Sequence, residues 1–225
     1  ISGFGQNGPA VARPALDIIV QAMGGIMSVT GEPGGEPIRP GASLGDSVSG
    51  LFTALTIVSA LWQRQVSGHG QYIDMSMLDC QVTMLENAFS RYFATGQVPG
   101  PLGTRHPSAT PFQAFQASDT HFVVALITDD TATWQRLCQS IGRPDLGDDP
   151  RFADNAGRTK HVDFLDDAMQ EVFRSQTVSY WLTRLTEASI PCGPVNNIKA
   201  VIDDPQVRYR GMLAAIPHAS AGTWQ

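Results

Sequence analysis

Apolar residues run with almost no polar face from Val48 through Leu51, Phe52, Leu55, Ile57, Val58 and Leu61 to Trp62. At 3.6 residues per turn these positions cover nearly every side of a helix, so residues 47–65 are predicted as a core helix packed on both sides. Ser67-Gly-His-Gly70 ends it. The pattern then alternates over Tyr72 to Met77, with Ile73, Met75 and Met77 on one face, which predicts a strand. A second helix is expected over 79–95, burying Val82, Leu85, Phe89 and Tyr92 and closed by Gly96. Ahead of these lies a Gly- and Pro-rich stretch with one short helical pattern, Asp17 to Met23, and a loop over Gly31 to Pro37. The opening Ile1-Ser-Gly-Phe-Gly5 reads as the end of a strand entering a turn. Helix, strand and helix in this order predict an α/β domain over residues 1–96.

Periodicity breaks after Gly96. Pro99, Gly100, Pro101, Gly103, Pro107 and Pro111 mark residues 97–111 as a linker or functional loop. Phe112 to Phe115 and His121 to Ile127, separated by Ala117-Ser-Asp-Thr120, predict a hairpin. Helical patterns follow over 131–141 (Trp134, Leu137, Cys138, Ile141), 161–174 (Phe164, Leu165, Ala168, Val172), 177–188 and 195–203. Residues 112–217 therefore read as a smaller α+β domain, and 218–225 as the start of a truncated return segment. No internal repeat is visible.

Composition narrows the function classes. The chain has 225 residues, 42% of them hydrophobic, and a net charge of −6. Lys160 and Lys199 are its lysines and its arginines are scattered, which argues against a nucleic-acid surface. Cys80, Cys138 and Cys192 have neither metal-site nor C-x-x-C spacing and read as thiols of a reducing cytoplasm. No metal is expected. The run from Leu51 to Trp62 is interrupted by Thr53, Thr56 and Ser59 and is too short to span a bilayer, so no membrane partner is expected. No targeting segment is visible. A chain opening at Ile1 and stopping at Gln225 without a terminating pattern reads as a fragment.

Candidate chemistry concentrates at Leu44-Gly-Asp-Ser-Val-Ser-Gly50. Small neighbours let a substrate approach Asp46 closely, and amides at the start of the following helix favour negative charge there. The same Asp46 is equally well placed as an N-cap. Gly3-Phe-Gly-Gln-Asn-Gly8 matches G-x-G-x-x-G, but Pro9 and Pro14 follow and no acidic residue ends a second strand, so it reads as a glycine-rich turn. His69 reads as a helix-terminating turn residue. Arg105 and His106 are candidates for contacting an anionic substrate, with an exposed loop histidine as the plainer reading. Asp129-Asp130 and Asp148-Asp149 read as helix-start and turn acids.

Several of these segments together resemble the family III CoA-transferases, the group of formyl-CoA and carnitine CoA-transferases. The resemblance rests on Ile1 to Pro9, Arg13-Pro-Ala-Leu-Asp17, Gln21-Ala-Met-Gly-Gly25, Thr30-Gly-Glu-Pro-Gly34 and Gly45-Asp-Ser47. It continues through Ser67 to Asp79, Gly103-Thr-Arg-His-Pro107, Asp149-Pro-Arg-Phe152, Ile190 to Asn196 and Asp204-Pro-Gln-Val207. It implies part of a Rossmann-like large domain followed by a smaller α+β domain, in an interlocked homodimer. It places the family's nucleophile on Asp46 and an acidic, site-orienting residue on Asp17, with Gly45 and Ser47 as backbone support. Coenzyme A thioester and carboxylic acid are then the substrates, and no permanently bound cofactor is implied.

The mobile lid of formyl-CoA transferase falls on Arg105 to Thr110, here without its glycine run. Much of the family's CoA site lies upstream of Ile1. The α-methylacyl-CoA racemases are similar too, but their histidine falls on Leu16, which cannot carry a proton. A non-catalytic dimerising fragment is the remaining alternative.

Overall fold

In the computed structural model, which describes residues 1–127, 129–218, 220 and 222–224, the chain forms two units, Ile1–Gly103 and Thr104–Gln225. Together they make a mixed α/β fold.

The first unit is built on helices α1 (Asp17–Met23), α2 (Ile26–Val29), α3 (Leu44–Ser67), α4 (Met77–Thr83) and α5 (Glu86–Thr95). Helix α3 is longer at both ends than the apolar pattern predicts, and Gly68, in the left-handed region, closes it. It is not a core helix in this chain. Leu55 is 64% exposed and Trp62 71%, and Leu51, Val58 and Val66 are also open. Its 24 residues are long and apolar enough to cross a bilayer by length and composition. The hydroxyls that interrupt the run do not make it polar. Thr53, Thr56 and Ser59 each donate to the carbonyl four residues back, at 2.6, 2.7 and 2.9 Å.

Two further expectations for this unit are corrected. The strand over Tyr72 to Met77 is reduced to one parallel bridge, Ser76 with Ser2, made by Ser2 N–H to Met75 C=O and Met77 N–H to Ser2 C=O, both 2.9 Å. Alternation alone makes no strand without a neighbour to pair with. The single helix over 79–95 is two. The amides of Met84 and Leu85 bond three residues back rather than four, and the ladder restarts at Glu86. Phe89 and Tyr92 of the predicted buried stripe remain partly exposed. Among the described residues, Val20 and Cys80 are the buried apolar side chains of this unit.

The second unit has a core of its own. Strands β1 (Phe112–Gln116), β2 (His121–Ala125) and β3 (Cys192–Pro194) form an antiparallel sheet in that order, with Ala114 opposite Val123 and Val123 opposite Gly193. Helices α6 (Thr131–Ser140), α7 (Pro144–Asp148), α8 (Asn155–Lys160), α9 (Val162–Phe173) and α10 (Val178–Glu187) belong to the same unit, and a 3-10 turn spans Pro150–Phe152. Phe115, Phe122, Trp134, Leu165, Phe173 and Trp181 are among the side chains that fill the core. The acids at helix starts act as caps: Asp130 on α6 and Asp149 on the 3-10 turn.

On α9 the buried face is Leu165, Asp166, Met169 and Phe173; of the predicted stripe, Leu165 is fully buried, Ala168 and Val172 pack half-buried against the core, and Phe164 alone points out. Phe164 instead stacks on Phe152 with ring centroids 5.8 Å apart. Helices α11 (Ile198–Asp203) and α12 (Pro205–Tyr209) follow. Strands β4 (Ile216–His218) and β5 (Gly222–Trp224) pair over part of the expected return segment, in which Ala219, Ala221 and Gln225 lie outside the described residues.

Candidate active site

The site grows from a junction between α1 and the start of α3. Asp17 is the first residue of α1 and is buried. Its Oδ1 accepts from the Gly45 amide at 2.9 Å, and its Oδ2 from Arg39 Nη2 at 2.8 Å and Gln21 Nε2 at 2.7 Å. Burial works to raise the pKa of this carboxyl, but the donors from Gln21, Arg39 and Gly45 prevail and hold it below the usual carboxylate range. The close approach requires glycine at 45. A Cβ there would lie 2.6 Å from Val20 Cγ2 and 3.1 Å from Asp17 Oδ1.

With the Gly45 amide satisfied by Asp17, α3 begins at Leu44, the N-cap position passes to Ser43, and Asp46 becomes the third helical residue. The capping reading of Asp46 is therefore overturned. Its carboxylate accepts no hydrogen bond from the described residues, and it is exposed on the first turn, where the helix dipole favours a negative charge. Ser47 is exposed beside it, and its amide donates to Ser43 C=O at 2.9 Å. The amides of Leu44, Gly45 and Ser47 are thus taken up, and among the described residues no acceptor is paired with the amide of Asp46. A free carboxylate with an open amide at its own residue suits nucleophilic attack followed by oxyanion stabilisation. Leu16, the N-cap position of α1, is 73% exposed and carries no proton.

Arg105 and His106 lie in the second unit. The Arg105 guanidinium is 2.8 Å from Asp163 Oδ1 and 2.5 Å from Asp166 Oδ2. Burial would lower its pKa, but the two carboxylates raise it on balance. Burial pushes Asp166 up to about 6 against the pull of Arg105. His106 packs against Phe112 with centroids 4.9 Å apart, and its Nδ1 accepts from Ser108 N–H at 3.2 Å. The loop around them is tied down. Asn155 Nδ2 donates to Ser108 C=O at 2.7 Å, and the buried Arg158 donates through Nε to Thr110 C=O at 2.8 Å.

Gly3 to Gly8 forms turns and opens no helix, with Gly5 and Gly8 at positive φ. His69 sits past the end of α3, its ring nitrogen 2.8 Å from Ser67 C=O. An open groove of ≈ 300 Å³ in the first unit is lined by Gly24, Val29, Leu85, Phe89, Tyr92 and Pro99, with neither Asp17 nor Asp46 on its wall. Among the described residues no cluster of side chains is arranged to hold a metal ion. Sequence reasoning missed Arg39 as a partner of Asp17. The available signal was its isolation, since it is the sole cationic residue between Arg13 and Arg64.

Comparison with known proteins bears on this geometry. The profile of CoA-transferase family III matches residues 1–225. The acetyl-CoA:oxalate CoA-transferase of Acetobacter aceti is 41% identical, over 94% of this chain and 54% of its own length. Human succinyl-CoA:glutarate CoA-transferase is 31% identical, over 99% of this chain and 50% of its own. The crystal structure of a CAIB/BAIF family protein from Brucella suis superposes with a TM-score of 0.81 at 33% identity, covering 99% of this chain and 61% of that one. The chain spans about half the length of the curated relatives it matches.

Proposed function

Because the chain belongs to CoA-transferase family III, we propose that the protein carrying it moves CoA between an acyl-CoA thioester and a free carboxylic acid, with Asp46 as the nucleophile. The observation that carries this reading is the free, exposed Asp46 carboxylate on a helical turn fixed by Asp17 and Gly45. An Asp46 oxygen attacks the thioester carbon, the C–S bond breaks, and a mixed anhydride and CoA thiolate result. The thiolate attacks the aspartyl carbonyl, releasing the donor acid as carboxylate and leaving an aspartyl-CoA thioester. The acceptor carboxylate then attacks that thioester, and the same steps run in reverse. Each addition passes through an oxyanion, for which the amide of Asp46 supplies support, whereas the amides of Gly45 and Ser47, expected as donors from the sequence, are spent on Asp17 and Ser43. Asp17 orients this turn.

The similar enzymes are named for oxalate, glutarate and mesaconate, and we assign a short dicarboxylic acid to the acceptor side. An anhydride must be kept from water, and Asp46 is exposed in this chain, so further polypeptide must cover it. A second copy in an interlocked homodimer fits the open apolar faces of α3, and the unpaired thiols fit the cytoplasm. Leu16 argues against racemase chemistry, which needs a proton carrier on each face of the α-carbon. Mass analysis of peptides from the complete protein, trapped with acyl-CoA, is expected to find CoA on Asp46. An active enzyme with Asp46 unmodified would exclude the mechanism.

A further inference from the structure

Three contacts converge on the residues that lead into Asp46. Gln21 Nε2 reaches Ala42 C=O at 3.3 Å, Arg39 Nη2 reaches Ser43 Oγ at 3.2 Å, and Asp17 Oδ1 holds the Gly45 amide at 2.9 Å. Two further hydrogen bonds tie these together: Asp17 Oδ2 receives Arg39 and Gln21 at 2.8 and 2.7 Å. Positions 42, 43 and 45 are thus each pinned from outside the helix. Gln21 is fully buried and its amide oxygen has no partner, so its donor side sets the orientation of the amide.

The two oxygens of Asp17 have separate duties, and a carboxylate rotor is roughly two-fold, so nothing intrinsic keeps Oδ1 on α3. The pair of donors on Oδ2 does. Arg39 contributes the charge that keeps a buried carboxylate ionised, and it alone of the two donors also touches the N-cap residue of α3. We propose that Arg39, assisted by Gln21, is a positioning residue that aims Asp46 by clamping Asp17 and Ser43 against the first turn of α3. The inference rests on Asp46 being the nucleophile. Arg39 touches no reacting atom in it.

The test is a single-turnover measurement of acyl-CoA reacting with Asp46 in the complete protein, read by mass and by the rate of CoA-adduct formation. Misplacing a reacting group by about an ångström costs up to about 100-fold in rate. Arg39→Gln is expected to slow adduct formation between about 10-fold and 100-fold while the affinity for acyl-CoA stays within about twofold. Arg39→Lys, which restores a cation able to reach both Asp17 and Ser43, is expected to recover most of that loss.

An Arg39→Gln rate within twofold of the parent would overturn the proposal. So would a loss that appears in acyl-CoA affinity, or one that lysine fails to rescue. If Arg39→Gln does not fold, Ser43→Ala removes one arm of the clamp, and an unchanged adduct rate there overturns the proposal equally. Failure of the underlying reading looks different, since the parent protein itself would then turn over without an adduct on Asp46.

Discussion

Asp17 and Asp166 are both buried carboxylates paired with an arginine, yet their surroundings move them in opposite directions. Three donors converge on Asp17, whereas Asp166 lies on the buried face of α9. The lowered Asp17 lends stability above about pH 4, and this is lost as pH falls through its folded value. Asp166, raised to about 6, works the other way: its contribution is full below about pH 4 and is lost as pH rises to about 6. Thermal melts from pH 4 to 7 should therefore show the parent chain gaining on Asp166→Asn as pH falls, by on the order of 2 kcal/mol. A difference independent of pH would contradict the raised value. At Gly45 the expectation is steric. Gly45→Ala must displace Val20 and is expected to cost about 1–3 kcal/mol in denaturant unfolding, with Asp46 acylation slowed alongside.

Among the elements, those that bury one face against their own unit were legible from sequence. Helix α6 has the predicted Trp134, Leu137 and Cys138 inside, and the hairpin of β1 and β2 starts where its pattern does. Helix α9 has the predicted Leu165, Ala168 and Val172 on the core, but its buried side also holds Asp166. Periodicity would not choose a face with a carboxylate on it, and that face became tolerable only because Arg105, far away in sequence, sits on Asp166. The α3 pattern was read as burial, but burial depends on what lies alongside a helix. Its start was misjudged because Asp17, 28 residues earlier, takes the Gly45 amide and shifts the cap to Ser43. Asp46 itself stood out from its small neighbours, whereas nothing local marks Arg39. For α3, acrylamide quenching of a variant that keeps Trp62 as its sole tryptophan should be strong in this chain, and it should fall in the complete protein where the proposed second copy covers the helix.

For the molecule as a whole, the two units differ in what holds them together. The second has a continuous core, while the described apolar burial of the first comes down to Val20 and Cys80 beside a polar junction. Expressed separately, residues 104–225 are expected to unfold in one cooperative thermal transition. Residues 1–103 should bind a hydrophobic dye and lack such a transition. Polar substitutions at Leu55, Val58 and Trp62 should reduce self-association of the chain without shifting the transition of its second unit. The hydroxyls of Thr53, Thr56 and Ser59, folded back on their own carbonyls, have a thermal consequence. Water against the middle of α3 meets hydrocarbon, and contacts that expel such water weaken on cooling. In the proposed homodimer, the contacts that cover this helix should therefore be cold-labile, with dilute protein dissociating on ice and reassembling on warming.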